Sequence, residues 1–331
     1  MSEPSQSGPS RLEEDPGIGQ ERDDVQRALD QFRREVRARL LERRAPEAGS
    51  GLDWEDLFES ARRRLSTIGM VERSAEVDEF GMDDVVIAKW NRLFDALADR
   101  WWRIDVEGLD PGSPPLPSLF VANASGLLPW DGIMLAHMIA RARPDAPRPR
   151  FLVADWLVTQ PFAQPTLAGI GGVRACRENA ERLLRSGRSV VSFPEGLKGS
   201  AKVFRERYRL RRFGRGGAVR IALALGVPLV PVAVIGAEET HPVLFKVGSL
   251  ARLVGLPFLP VTPTFPWLGP LGLVPLPSRW RMRFGAPLDF GPHGPEAADD
   301  EILVDRLTVE LRSSIQRMID EAVRTRDSVF A

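Results

Sequence analysis

The segment SLFVANASGLLPWDG (Ser118–Gly132) runs from an apolar stretch through a turn of small residues to an acidic residue that opens an apolar helix. The apolar stretch Leu119–Asn123 is typical of a buried strand, and the residues from Gly132 to Arg141 have helical spacing. A strand followed directly by a helix is the repeating unit of α/β proteins. The segment therefore predicts a strand–loop–helix unit with Asp131 at the start of the helix.

The same alternation of strands and helices continues along the chain. Further strands are predicted at Arg103–Val106, Arg150–Ala154, Ser189–Phe193, Leu229–Ile235 and Trp280–Phe284. Further helices are predicted at Asp83–Trp101, Arg177–Arg185, Gly217–Leu225 and Asp299–Arg324. This order predicts an α/β fold with a mixed, largely parallel sheet covered by helices on both faces.

The first 75 residues differ in composition from the rest of the chain. Residues 1–22 are polar and rich in proline and glycine, which predicts a disordered tail without the apolar core of a signal peptide. Residues 23–75 begin with apolar residues at helical spacing among arginines, which predicts a helical N-terminal extension. Such a basic helix suits either an anionic membrane or the surface of the domain that follows at residues 76–331.

Composition excludes several classes of protein. The 45 basic residues balance the 45 acidic ones, which argues against a general nucleic-acid binder. The one cysteine, Cys176, and the three dispersed histidines have no zinc-ligand spacing. We therefore expect neither a metal nor a nucleic acid as partner.

The longest uncharged run, Leu253–Ser278, is long enough to span a bilayer, but seven prolines interrupt it. Each proline removes a backbone donor that lipid cannot replace, so a spanning helix is excluded. The run predicts irregular chain packed on the domain. Two interpretations stay open: buried loops that cover the core, or a partly exposed patch that docks on a membrane.

Three polar segments follow predicted strands directly: NASGLLPWDG, FPEGLKG and GAEETH. In open α/β sheets, ligands bind in the crevice beyond the carboxyl ends of the strands. We therefore expect Asp131, Glu195 and the pair Glu238/Glu239 to lie near one cleft.

These segments in this order resemble the glycerolipid (phospholipid/glycerol) acyltransferase family. The likeness is greatest to its bacterial lysophospholipid/diacylglycerol acyltransferase-like branch, whose first motif reads NHSG-x-LP-x-DG. The blocks DEFGMD, RIDVEGLD, GGVRACRENA and PLPSRWRMRFGAP also match that branch in order, so the resemblance covers roughly residues 76–325. It implies a glycerol-3-phosphate acyltransferase-like fold and an acyltransferase domain at residues 76–331.

The resemblance implies transfer of an acyl chain to a glycerolipid hydroxyl, with acyl-CoA or acyl carrier protein as co-substrate and no cofactor. In the family a histidine takes the proton of the acceptor hydroxyl and an aspartate orients it. Carried over, Asn123 and Asp131 match the first motif, and Ala124 stands at the histidine position. The family's acceptor-binding segment matches Phe193, Pro194, Glu195, Gly196 and Lys198.

Ala124 leaves three interpretations open. The chain is an acyltransferase that uses another base, with His241 as the candidate, or relies on positioning alone. Alternatively, it is a catalytically silent member that binds acyl-CoA or lipid as a carrier, sensor or partner. In the third, it is an altered version of an active enzyme. The implied substrates predict a cytoplasmic protein that associates peripherally with the inner face of the membrane.

Overall fold

The computed structural model describes residues 77–110, 112–126, 128–160, 163–248, 251 and 257–326. The predictions for residues 1–22 and 23–75 lie outside the described residues. The strands are β1 Asp105–Glu107, β2 Leu119–Ala122, β3 Arg150–Val153, β4 Gly172–Arg174, β5 Val190–Ser192, β6 Leu229–Ile235, β7 Phe245–Val247, β8 Leu259–Val261 and β9 Arg281–Phe284. The α-helices are α1 Asp84–Ala96, α2 Trp130–Ala142, α3 Asp155–Val158, α4 Ala163–Gly169, α5 Arg177–Arg185, α6 Gly196–Ser200, α7 Gly217–Leu225 and α8 Glu301–Arg324.

Seven strands form one sheet in the order β1-β9-β6-β2-β5-β3-β4. Every neighbouring pair is parallel except β6–β9, which is antiparallel. β7 and β8 form a separate antiparallel pair. The predicted mixed, largely parallel sheet is confirmed. β2, β5 and β6 are central and adjacent, so the loops after these strands leave the same edge of the sheet.

Helices cover both faces of the sheet, and the strands contribute alternate side chains to two cores. In β2, Leu119 and Val121 belong to the core beneath α5, α7 and α8, whereas Phe120 and Ala122 belong to the core beneath α1 and α2. All four side chains are fully buried. A strand buried on both faces needs an unbroken apolar sequence, which explains the run that precedes Asn123.

Several predicted boundaries need correction. The predicted helix Asp83–Trp101 is α-helical only to Ala96 and continues as one π turn, Leu97–Trp101. Asp83 is its N-cap, because its carboxylate accepts hydrogen bonds from the amides of Val85 and Val86. The strand β4 and the short helices α3, α4 and α6 were not predicted.

The uncharged run is described from residue 257 onward, and this part is more ordered than predicted. It contributes β8 and a 3₁₀ helix, Gly269–Leu273. Phe258 and Ser278 are buried, whereas Trp267 is 75% exposed. Within the described part of the chain, no helix is long and apolar enough to cross a membrane.

Candidate functional site

The loop between β2 and α2 is held at its start by Asn123. The side-chain Nδ2 of Asn123 donates to the carbonyl of Val234 (2.8 Å), and its Oδ1 accepts from the Val234 amide (2.7 Å). The side chain is fully buried. Since β2 pairs with β6 up to Ala122, the Asn123 amide group continues that pairing one step further. The predicted catalytic-motif asparagine therefore fixes where the loop leaves the sheet.

Asp131 closes the other end of the loop from the first turn of α2. Its Oδ2 accepts from the amide (2.9 Å) and the hydroxyl (2.8 Å) of Ser125, and its Oδ1 accepts from the Gly132 amide (2.8 Å). A carboxylate suits the positive end of a helix dipole. Burial nevertheless raises the pKa of Asp131 above its ordinary value, and the bonds from Ser125 and Gly132 only partly oppose that rise.

Gly132 packs closely against the sheet at the start of α2, so a larger side chain there would have to displace its aromatic neighbours. A Cβ atom at this position would lie 3.1 Å from the Phe151 ring and 3.3 Å from the Phe193 ring. Because Phe193 belongs to the segment after β5, this contact also brings the two predicted site segments together.

Ala124 lies where the family's histidine is expected, and it is covered. Only 2% of the residue is exposed, and its amide donates to Glu195 Oε1 (3.0 Å). The Ala124 Cβ would lie 3.0 Å from a Cβ placed on Gly199 of α6. A neighbouring cavity, lined in part by Ser125, Gly126 and Gly199, has a volume of about 10 Å³. This space is enough for a water molecule and too small for an imidazole ring.

A buried ion cluster joins the loops that follow β2, β5 and β6. Glu195 Oε2 accepts from the Arg211 amide (2.7 Å) and lies 3.5 Å from Lys202 Nζ. Lys202 Nζ also donates to Glu238 Oε1 (2.5 Å), and Glu238 Oε2 accepts from the Tyr208 amide (2.6 Å). Burial raises the pKa of Glu238, and the charge of Lys202 opposes that rise. The structure thus brings Glu195 and Glu238 together through a shared cation.

Glu239 belongs to a separate group on the other side of the short turn after β6. Its Oε1 accepts from the Tyr208 hydroxyl (2.6 Å) and from Arg326 (2.8 Å). Burial, reinforced by the neighbouring Glu239 charge, raises the pKa of the Tyr208 hydroxyl strongly. Glu239 therefore joins the turn after β6 to Arg326, two residues after α8.

The remaining predicted acceptor-binding residues lie at the start of α6. Phe193 and Pro194 are half-buried, whereas Gly196 and Lys198 are exposed. Gly196 has a φ of +56°, a left-handed conformation that favours glycine. Of the residues assigned to acceptor binding, Glu195 is turned inward and Lys198 outward.

Among the hydrogen bonds of the described residues, none joins a nitrogen of His137 or His241 to the loop that carries Ala124. His137 is buried, and its Nε2 lies 3.0 Å from an Asp95 oxygen. His241 lines the small cavity beside Ser125, but its Nε2 donates to the Leu273 carbonyl (2.9 Å) and its Nδ1 lies 3.3 Å from Thr240 Oγ1. Burial lowers the pKa of His241. That His241 substitutes as the base stays a prediction.

The central cation of the cluster, Lys202, was missed as a site residue. One signal was available in the sequence. The chain has only four lysines among its 45 basic residues, so a lysine close after the FPEG segment is unusual for this composition. Among the described residues, no group of three or more His, Cys, Asp or Glu side chains could hold a metal ion.

Asp131 should make stability depend on pH in a defined direction. Because its pKa is raised in the folded state, folding favours the protonated form, and this contribution falls as pH rises above the ordinary value of 3.8. The native chain should therefore lose stability as pH rises, whereas Asp131→Asn should not lose this contribution. We expect the difference in unfolding free energy, variant minus native, to increase by at most about 1.4 kcal/mol per pH unit. Chemical denaturation at intervals between pH 4 and neutrality measures the difference.

Asp145 provides the matched control. It is exposed, and the hydrogen bond from Arg143 lowers its pKa. Asp145→Asn should therefore show no increase of this kind, because ionised Asp145 favours the folded state. Identical pH profiles for the two variants would contradict the assignment of a raised pKa to Asp131.

Comparison with known proteins connects this site to a family. A family model described as Acyltransferase matches residues 103–235, which include the loop at Ala124, the FPEG segment and all of β6. The chain is 40% identical over 258 residues to the uncharacterized protein ML2427 of Mycobacterium leprae, covering 77% of this chain and 70% of that protein. It is 41% identical over 258 residues to the uncharacterized protein Rv0502 of Mycobacterium tuberculosis, covering 77% of this chain and 71% of that protein.

Among solved structures, a 1-acyl-sn-glycerophosphate (LPA) acyltransferase, PlsC from Thermotoga maritima, aligns over 81% of this chain and 90% of its own. The sequence identity is 16% and the TM-score is 0.47. The family model spans the site segments, and the two mycobacterial proteins are related to this chain over most of its length. The chain belongs to the acyltransferase family.

Proposed function

We propose that this protein transfers an acyl chain from a thioester, acyl-CoA or acyl carrier protein, to the hydroxyl of a glycerolipid. The observation that carries the proposal is the hydrogen bond from the Ala124 amide to Glu195 Oε1, because it joins the loop of the first motif to the segment of the second. Lys202 then ties both to the loop after β6. These loops meet at the edge of a parallel sheet where ligands bind in such folds.

The reaction requires a group or an arrangement that removes the proton of the acceptor hydroxyl, and in the family a histidine does this. The acceptor hydroxyl must lose its proton as its oxygen attacks the thioester carbonyl, and the departing thiolate must gain a proton. Ala124 carries no group that can take the proton, so the proposed turnover depends on holding the two substrates together. Exposed Lys198 could attract an anionic acceptor as a point charge.

A second candidate function is binding of acyl-CoA or lipid without turnover, as a carrier, sensor or partner. The packing around Ala124 favours it, because the position of the missing base is covered by α6 and both oxygens of Asp131 are already bonded. In the family's mechanism that aspartate orients a histidine. Here its donors come from Ser125 and Gly132.

The proposed acceptor also determines where the protein would act. A glycerolipid hydroxyl lies at a bilayer surface, so we propose peripheral association with the inner face of the cytoplasmic membrane. The thioester is a co-substrate, and the proposal requires no bound cofactor.

Thiol release from acyl-CoA, in the presence of lysophospholipids or diacylglycerol, tests the proposal on the full chain. Turnover that depends on an acceptor lipid, and that Asp131→Ala reduces, would support acyl transfer. Saturable binding of acyl-CoA by calorimetry without any turnover would support the silent candidate. Absence of both turnover and binding would contradict both.

A further inference from the structure

A patch of large apolar side chains is exposed on the proline-rich segment. We call it the apolar ledge, and its members lie within eight consecutive positions. They are Trp267 (75% exposed), Leu268 (58%), Leu271 (60%), Leu273 (40%) and Val274 (53%). Single exposed apolar side chains are common on protein surfaces, but a cluster of this size marks an interaction surface.

The hairpin of β7 and β8 extends the same surface. Phe245 on β7 is 67% exposed, and Leu244 beside it is 44% exposed. Phe245 pairs with Val261 on β8, whose chain continues through Thr264 into the ledge. Thr264 is bonded to the ledge itself, since its hydroxyl donates to the Gly272 carbonyl.

The charges around the ledge are few and positive. Residues 257–278 contain no charged side chain, and residues 242–248 contain only Lys246. Exposed Arg205 lies close by, because the amide of the preceding Phe204 donates to the carbonyl of Val243. Glu206, the residue after Arg205, is paired with Arg211 (2.6 Å). An apolar surface that is bordered by cations and whose own segments carry no carboxylate is complementary to a bilayer with anionic head groups.

Hydrogen bonds connect this surface to the loops around Ala124. His241, which lines the small cavity beside Ser125, donates from Nε2 to the carbonyl of Leu273 in the ledge. The Leu276 amide donates to the Thr240 carbonyl (2.9 Å), and Lys246 Nζ donates to the Ala201 carbonyl directly after α6 (2.7 Å). The ledge and the candidate site therefore lie at the same end of the molecule.

We propose that the apolar ledge is the surface with which this protein docks on an anionic bilayer, Trp267 and Leu271 inserting among the lipids. The choice of a bilayer as partner rests on the proposed function, since a lipid acceptor has to be taken from a membrane. Docking through the ledge would bring the loops around Ala124 to the lipid surface, with His241 and Lys246 holding the two parts together.

Vesicle flotation of the full chain tests the proposal without any acyl donor. The vesicles contain phosphatidylcholine with or without phosphatidylglycerol. We expect the double variant Trp267→Asp/Leu271→Asp to lose at least about tenfold in partitioning onto the anionic vesicles, because two apolar side chains would no longer be buried in lipid. The matched control is Ile302→Asp, which changes an apolar residue that is 85% exposed at the start of α8. Circular dichroism confirms that each variant is folded.

The proposal stands if the ledge variant loses binding while Ile302→Asp keeps it. It is overturned if the native chain does not bind vesicles, or if both variants bind like the native chain. It is also overturned if the ledge variant abolishes a dimer of the chain in solution and leaves vesicle binding unchanged. Turnover is measured separately, with a short-chain acceptor dissolved in water, so that failure of acyl transfer and failure of docking are distinguished.

Discussion

Replacing Ala124 with histidine should raise thiol release from acyl-CoA by about 10²–10⁴-fold, the usual contribution of a positioned general base. The reason lies in the parts of the site that remain. Asn123 still fixes the exit of the loop from the sheet, and Asp131 still lies at the start of α2. If an imidazole at position 124 replaced Ser125 as the hydrogen-bond partner of Asp131, the pair would have the base–orienter arrangement of the serine hydrolases.

Space is the condition on which that result depends. The cavity beside Ala124 is about 10 Å³, and Gly199 lies against the Ala124 side chain, so α6 has to move outward or the new ring has to face solvent. The matched control is Ala124→Gln, which adds a polar side chain of similar length that has no basic nitrogen and cannot act as a general base. The double variant Ala124→His/Asp131→Asn should lose most of the gain, because base and orienter act as one unit. A folded Ala124→His protein with unchanged turnover would contradict the prediction and favour the silent candidate.

The site could be predicted in part from its strands. β6 was predicted with its observed bounds, because six apolar residues, interrupted only by Pro231, are followed directly by a glycine. In the sheet, β2 beside it and β5 beyond β2 then place the segments of Ala124 and Glu195 at the same end of the parallel strands. The strand pattern does not show which way the side chains in the loops after the strands point. Whether Glu195 faces a substrate or the amides of Ala124 and Arg211 depends on how α6 packs, and that packing involves Gly199 and Lys202.

The less regular parts of the fold could not be predicted either, because their sequences are too short or their apolar faces too ambiguous for a periodic pattern to decide. β4 is only three residues long, begins with Gly172 and directly follows Gly171, so it has no measurable period. On α1, Leu93 fits the apolar stripe by spacing but is 44% exposed. It lines a cavity of about 630 Å³ with Trp90 and residues 164–166. Periodicity identifies an apolar face, and only the tertiary arrangement decides whether that face meets a core or a cavity.

Lys202→Met should lower the unfolding free energy by about 3–5 kcal/mol, the usual cost of leaving a buried charge without its partner. The side chains of Lys202, Glu195 and Glu238 are 4%, 0% and 6% exposed, so water does not replace the lost cation. Glu238 already has a raised pKa with the lysine in place. In the variant it should take up a proton more readily still, so the loss should be smaller in mildly acidic solution than at neutral pH. Denaturant unfolding at both conditions measures the difference.

Two further variants distinguish the loss of the buried cation from the general effect of replacing a lysine by methionine. Lys246→Met removes an exposed lysine whose Nζ donates only to the Ala201 carbonyl among the contacts described, and it should cost less than about 1 kcal/mol. The double variant Lys202→Met/Glu238→Gln should recover part of the loss, since the glutamine oxygen can still accept from the Tyr208 amide and one of the two buried carboxylates no longer lacks its cation. Equal losses for Lys202→Met and Lys246→Met would contradict the cluster. A larger loss at Lys202, recovered in part in the double variant, would mean that the three loops around Ala124 are held by charge as well as by packing. In that case the site keeps its shape with alanine at position 124, which is the condition under which a histidine at that position can act.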